Sequence, residues 1–218
     1  SATWILDRPA SRPAPRISAL ILDWGGVLMR TADDGGRRRW ERELNLAAGA
    51  ADRAVFESVA WREAQLGRRN VDDCWQAIGA ALGLNGGRLA RFRQDFWAGD
   101  RLNLPLLHAI ESWRRAGLRI ALLSNYTLEL EQLLSELQVE QHFDPLIISA
   151  REGLMKPAAA LYWRAVNRLH VDPGAALLLD DFPVNLHGAR CVGLAAVHFK
   201  QTGQAIQDIE NLIHAGQK

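Results

Sequence analysis

Five short apolar runs, at residues 17–22, 118–123, 146–149, 175–179 and 194–199, leave this chain few ways to fold. A strand packed on one face alternates apolar and polar residues. Runs without alternation belong to strands buried on both faces, as in parallel sheets flanked by helices. Between the later runs the apolar spacing turns helical. Leu106, Leu107, Ile110 and Trp113 mark a helix over 105–116, and Leu128, Leu130, Leu133, Leu134 and Leu137 mark one over 127–137. Similar patterns cover 158–169, 184–192 and 204–213. Strands alternating with helices predict an α/β class, a doubly wound parallel sheet.

The first connection breaks the rhythm. Residues 23–117 separate the first run from the second, whereas a parallel crossover needs only a dozen or more residues. The interval shows helical patterns near 38–46, 51–66, 71–82 and 88–97 and no strand. Asn70 followed by Asp73 resembles a capping box at the third of these. Gly35-Gly36 and Gly86-Gly87 punctuate their ends. The expected organisation is an N-terminal arm over 1–16, an α/β core over 17–29 and 102–218, and a small α-helical domain over 30–101 inserted after strand 1.

Composition removes several function classes. The 26 basic and 25 acidic residues leave a net charge of +1, so non-specific nucleic-acid binding is not expected. No run approaches the ~20 apolar residues that span a bilayer, and residues 1–16 lack the apolar stretch of a secretory signal. The expected location is cytoplasmic. Cys74 and Cys191, far apart and without CxxC spacing, read as inert thiols rather than a disulfide or zinc framework. The only lysines are Lys156, Lys200 and Lys218.

Ligands of open α/β sheets bind beyond the carboxyl ends of the strands. Asp23 ends the first run, Ser124-Asn125 the second and Asp180-Asp181 the fourth, while Lys156-Pro157 follows the third. An Asp or Ser after a strand is ordinarily a helix cap; four polar elements at one edge make a site. Asp23 and Asp181 offer hard oxygen ligands suited to Mg²⁺ shared with a phosphate. A carboxylate oxygen of Asp23 can act as nucleophile. Ser124 and the Asn125 backbone can donate to phosphoryl oxygens, Lys156 supplies a fixed cation, and Asn185, one turn beyond Asp181, is placed to orient the Asp181 carboxylate.

These motifs resemble the haloacid dehalogenase superfamily, in its phosphatase-like branch with an inserted helical cap, over about residues 17–200. Asp23-Trp24-Gly25-Gly26-Val27-Leu28 resembles the nucleophile loop, and Ser124-Asn125, Lys156-Pro157 and Asp180-Asp181-Phe182-Pro183-Val184-Asn185 the three motifs that follow. The resemblance implies Asp23 as nucleophile and metal ligand, the Gly25 backbone carbonyl and Asp181 as further ligands, Asp180 as a supporting carboxylate, and a small phosphorylated substrate such as a sugar phosphate.

The chain departs from the family at Gly25, where most family phosphatases carry a second aspartate that protonates the leaving oxygen and activates water. Such proton transfer typically contributes about 10²–10⁴-fold. Arg30, Asp33, Asp34, Glu57 and Glu63 are candidate substitutes. Three readings lack that aspartate for chemical reasons. A Schiff-base hydrolase needs a lysine in the cap, and there is none. An ion pump needs transmembrane helices. A haloacid dehalogenase leaves Asp180-Asp181 without a purpose. Two readings stay open: a Mg²⁺-dependent phosphomonoesterase working through an aspartyl-phosphate, and a non-catalytic phosphate-binding or interaction module. Within the insertion, Trp40, Trp61, Trp75 and Trp97 are expected in its core, Arg37-Arg38-Arg39 on a solvated helix face, and Arg68-Arg69 in a turn that could touch substrate. Trp24 either shapes the pocket floor or packs beneath the loop.

Overall fold

In a computed structural model, which describes residues 16–215, the apolar runs become a five-stranded sheet with every neighbouring pair parallel. In chain order the strands and helices are β1 (Ala19–Leu22), β2 (Met29–Thr31), α1 (Gly35–Glu43), α2 (Ala50–Phe56), α3 (Val59–Gln65), α4 (Val71–Leu82), α5 (Gly86–Trp97) and β3 (Asp100–Leu102). There follow α6 (Leu104–Arg115), β4 (Arg119–Ser124), α7 (Glu129–Glu136), β5 (Leu146–Ile148), α8 (Ser149–Glu152), α9 (Ala159–Leu169), β6 (Ala176–Asp180), α10 (Pro183–Cys191), β7 (Ala195–His198) and α11 (Thr202–Ala215). The large sheet runs β5-β4-β1-β6-β7. The expected N-terminal arm lies, but for Arg16, outside the described residues.

Burial explains why the runs do not alternate. Successive strand side chains point to opposite faces, and both faces of β1 are covered. Leu20 and Leu22 join one apolar cluster with Leu106, Ile110, Leu130 and Ile209, and Ala19 and Ile21 join another with Leu161, Val166 and Leu186. The chain leaves β1 towards β4 and β5 on one side and returns to β6 on the other. The crevice between these halves opens at the carboxyl ends of β1, β4 and β6, where Leu22 stands level with Leu122 and Leu179.

The long first connection is helical, with one addition. β2 and β3 pair antiparallel, Thr31 opposite Asp100, as a ribbon through which the chain enters and leaves α1–α5. No apolar run marks these three-residue strands, so periodicity misses them. α1–α5 enclose a separate apolar cluster that includes Trp40, Trp61, Trp75, Phe92 and Phe96. The pattern over 51–66 forms two helices, because Ser58 is extended and its Oγ accepts the Trp61 N–H at 3.0 Å, restarting the helix. At α4 the Asn70 side chain accepts the Asp73 N–H at 2.7 Å, the first half of the anticipated capping box, while in place of the reciprocal bond to the Asn70 backbone its Nδ2 donates to Asp73 Oδ2 at 2.5 Å.

Candidate active site

Strand ends fix the carboxylates, Ser124 and Asn125 of the site, and Lys156 reaches it from the segment after α8. Asp23 follows β1; its N–H donates to Leu179 O on β6, and its Oδ1 accepts the Trp24 N–H at 2.7 Å. Lys156, on the segment after α8, drives a fully buried side chain between two carboxylates, with Nζ 2.9 Å from Asp23 Oδ2 and 2.6 Å from Asp180 Oδ2. The Asn125 side chain clamps the backbone of Lys156. Its Nδ2 donates to Lys156 O at 3.0 Å and its Oδ1 accepts Lys156 N–H at 2.8 Å. Asp180 is saturated: beside Lys156 it accepts from the Phe182 N–H at 2.8 Å and from Asn185 Nδ2 at 3.0 and 3.1 Å.

Asn185 therefore orients Asp180, not Asp181, which corrects the expectation from spacing. Counting one helical turn from Asp181 overlooks that Asp180, the last residue of β6, points into the sheet edge that α10 covers.

Asp181 differs from its neighbour. Its Oδ1 is buried and has no hydrogen-bond partner, and oxygens of Asp23, Asp180 and Asp181 lie within 4.8 Å of one another. Gly26, at φ +76°, lies against the same carboxylate, and a Cβ there would stand 2.1 Å from Asp181 Oδ2. One ammonium thus faces three carboxylates. Burial raises the Asp23 carboxyl to about 7, with Lys156 opposing and Asp180 and Asp181 adding to the rise. Burial and Asp180 push Asp181 upward too. Burial works against the Lys156 charge, but Asp23 and Asp180 outweigh it and hold the ammonium above its ordinary pKa. Orphaned oxygen, hard ligands and an excess of two negative charges fit a divalent cation such as Mg²⁺.

A cavity of about 460 Å³ opens over this cluster, between the strand ends and α1–α5. Asp23, Gly25, Ser124, Asn125, Lys156, Asp181 and Asn185 line it, and Asp180 lies buried beneath. Trp24 does both things foreseen for it, lining the cavity and packing into the core. A larger hollow of about 700 Å³ sits at the opposite edge beside Arg114, Arg119 and His142, and none of the expected site residues line it.

Other expectations fail here. Arg37 is buried, not solvated. Its Nε donates to Phe96 O at 2.9 Å, its two terminal nitrogens to Asp52 at 2.6 Å and Asp100 at 3.1 Å, and its guanidinium lies 4.1 Å from the Phe96 ring centre. Arg68 and Arg69 do not line the cavity; Gly67 presses on Ala150 O instead, and Arg69 pairs with Glu63. None of Arg30, Asp33, Asp34, Glu57 or Glu63 lines it either, so none is placed to replace the missing aspartate. Cys74 is buried with its thiol pushed up to about 11 by burial, whereas Cys191 is exposed.

The sequence reading missed the far side of the cavity. Thr31, Asp100, Phe56, Gln65 and Tyr126 line it, and Trp61 and Trp97 face it as well as the helical core. Gln65 Nε2 donates to Asn125 O at 2.7 Å, and Ser149 Oγ donates to Gln65 O at 2.6 Å, tying α3 to the strand ends. The clue was the glycine two residues beyond Gln65, whose close approach to the core makes that turn a contact.

The sequence profile of the haloacid dehalogenase-like hydrolases matches residues 17–193. The chain is 31% identical to rat bifunctional epoxide hydrolase 2 over 144 residues, which is 63% of this chain and 26% of the rat protein. It thus spans about a quarter of that relative's length. It is 22% identical to a sesquiterpene phosphatase of Aspergillus oryzae over 89% of this chain and 96% of the other. A haloacid dehalogenase family enzyme from Bacteroides thetaiotaomicron, crystallised with magnesium and inorganic phosphate, shares the fold with a TM-score of 0.70 at 16% identity, covering 84% of this chain and 94% of that one.

Proposed function

The chain belongs to the haloacid dehalogenase-like hydrolases, and from that footing we propose that it is a magnesium-dependent phosphomonoesterase working through an aspartyl-phosphate. The observation that carries this is the set of three carboxylates within 4.8 Å, one with an unpartnered buried oxygen, facing a single ammonium. Relatives on both sides of the comparison carry phosphatase names or bound phosphate. Asp23, Asp181 and the Gly25 carbonyl would hold Mg²⁺, which supplies charge neutralisation between the carboxylate and a phosphate dianion.

The chain's own groups divide the remaining work. An oxygen of Asp23 attacks phosphorus; the ester P–O bond breaks with its electrons going to the leaving oxygen, which takes its proton from solvent water. Water then cleaves the acyl-phosphate, releasing phosphate and returning Asp23. Lys156 fixes the Asp23 carboxylate and offsets charge at the reacting end, and Asp180, held by Asn185, fixes Lys156. Ser124 and the Asn125 backbone receive phosphoryl oxygens. Residues 30–101 act as the cap, closing the far side against water.

Gly25 favours a second reading, a phosphate-binding module without turnover, because no side chain there can move a proton. A phosphate-ester panel with Mg²⁺, run beside Asp23→Asn, separates the two. Turnover by the wild type that the variant loses supports the enzyme; binding without turnover in both supports the module.

Among the described residues no helix is long and apolar enough to cross a membrane.

A further inference from the structure

The cavity's two ends differ in chemistry. Asp23, Ser124, Lys156 and Asp181 gather at one. The other is walled by four aromatic rings in mutual contact: Phe56 and Trp61 at 6.0 Å between ring centres, Trp61 and Trp97 at 5.9 Å, Trp97 and Tyr126 at 6.3 Å, and Trp61 and Tyr126 at 5.9 Å.

Several polar groups of that end already bond within the protein. Arg37 gives one hydrogen bond from each guanidinium nitrogen, to Phe96 O, Asp52 and Asp100. Thr31 Oγ1 donates to Asp100 at 2.7 Å, and Gln65 Nε2 to Asn125 O at 2.7 Å. Burial raises the Tyr126 phenol above its ordinary pKa, so it adds no charge. A polyol entering here would exchange water largely for aromatic rings, leaving hydroxyls unmatched. A hydrocarbon or aryl group loses nothing and gains ring contacts.

The rim agrees. Phe56, Phe182 and Val184 are 44, 58 and 55% exposed, and all three line the cavity. Large apolar side chains gathered in water at the mouth of a pocket mark a surface that a ligand covers. The volume of about 460 Å³ falls within the roughly 300–1,000 Å³ of sites that enclose drug-sized ligands.

We infer that this chamber takes the monophosphate ester of an apolar alcohol, with the hydrocarbon part against Phe56, Trp61, Trp97 and Tyr126, and that it discriminates against sugar phosphates. The inference rests on the phosphatase reading for the identity of the reacting end. It departs from the sugar phosphate suggested by the family likeness.

Decyl phosphate and glucose 6-phosphate, both esters of primary alcohols, match the leaving groups and isolate the chamber. With Mg²⁺ and the full chain, kcat/KM for decyl phosphate should exceed that for glucose 6-phosphate by about 100-fold or more. Val184→Gln, at an exposed position where the fold tolerates change, and Phe56→Gln, which also removes ring contacts with Trp61, Phe96 and Trp97, should each lower that ratio about tenfold, mainly through KM. Equal rates for the two esters, or an unchanged ratio in both variants, overturns the inference. Calorimetric binding of decylphosphonate and of the phosphonate analogue of glucose 6-phosphate, with Mg²⁺, distinguishes failures. If no ester turns over but decylphosphonate binds at least tenfold more tightly, the phosphatase reading fails and the chamber's preference stands. If the sugar analogue binds equally well, or neither binds, the preference fails.

Discussion

Replacing Gly26 with alanine tests the site at its tightest point. The added Cβ would stand 2.1 Å from Asp181 Oδ2 and 2.7 Å from Cγ. Relief to a non-bonded separation near 3.5 Å requires the carboxylate to retreat by more than about 1 Å. The backbone adds its own strain, since φ is +76° and an L side chain there costs about 1–2 kcal/mol. Together a loss of about 2–3 kcal/mol follows, or about 5–10 °C in Tm for a chain of this size. The larger consequence concerns the metal. Mg²⁺ demands oxygen ligands near 2.1 Å, so a carboxylate displaced by about 1 Å no longer serves, and affinity should fall at least tenfold, about 1.4 kcal/mol. Gly25→Ala is the control: its Cβ meets nothing within 4 Å and its φ is not positive, so stability should change by less than about 0.5 kcal/mol. Thermal unfolding with EDTA and with saturating Mg²⁺ reads both effects, because a ligand of the native state raises Tm according to its affinity. Wild type and Gly25→Ala should show the same Mg²⁺-dependent increment, and Gly26→Ala a much smaller one. A full increment in Gly26→Ala, or an equal loss in Gly25→Ala, would refute the reasoning.

Lys156→Met should strand the buried Asp23 and Asp180 charges and cost about 3–5 kcal/mol, seen as a Tm fall of about 10 °C or more without metal; a fall under about 2 °C contradicts the electrostatic account. Gly25→Asp should fit the open space at that Cβ and raise kcat for alkyl phosphates, by up to about 10²-fold, through restored proton transfer; unchanged rates would show that proton transfer does not limit turnover. Glu152 supplies a pH effect on stability. Burial works to raise its carboxyl, but hydrogen bonds from Arg168 and Arg164 outweigh burial and hold it below the ordinary 4.5. A depressed carboxyl contributes stability above its unfolded pKa and loses it as pH falls through the folded value. Denaturant titrations below pH 4.5 should therefore show wild type losing stability more steeply than Glu152→Gln, and parallel curves would count against it. Thiol titration of the folded protein should label Cys191 readily and Cys74 only on unfolding; rapid labelling of both would show that the α1–α5 core opens.

The sheet was legible because burial on both faces forces an uninterrupted apolar run, a signal local in sequence. The polar edge was legible for a related reason: Asp23, Ser124 and Asp180 are the residues at which such runs stop, and topology aligns those stops. What escaped depends on distance in space. Asn185 serves Asp180 because of how α10 meets the sheet edge, and no spacing rule states that. Arg37 reads as part of a solvated arginine run until Asp52, Phe96 and Asp100 converge on it. The ribbon of β2 and β3 is too short for periodicity, and the aromatic chamber draws Phe56, Trp61, Trp97 and Tyr126 from separate segments.

That ribbon carries a broader implication. Because Thr31 pairs with Asp100, the two ends of the intervening polypeptide sit roughly 5 Å apart, one strand spacing. Whatever is spliced between them, long or short, leaves the spacing of the parallel strands undisturbed. Evolution can therefore redraft the walls of the chamber by insertion, deletion or exchange while the carboxylate cluster at the strand ends inherits no strain, and a protein engineer could use the same seam.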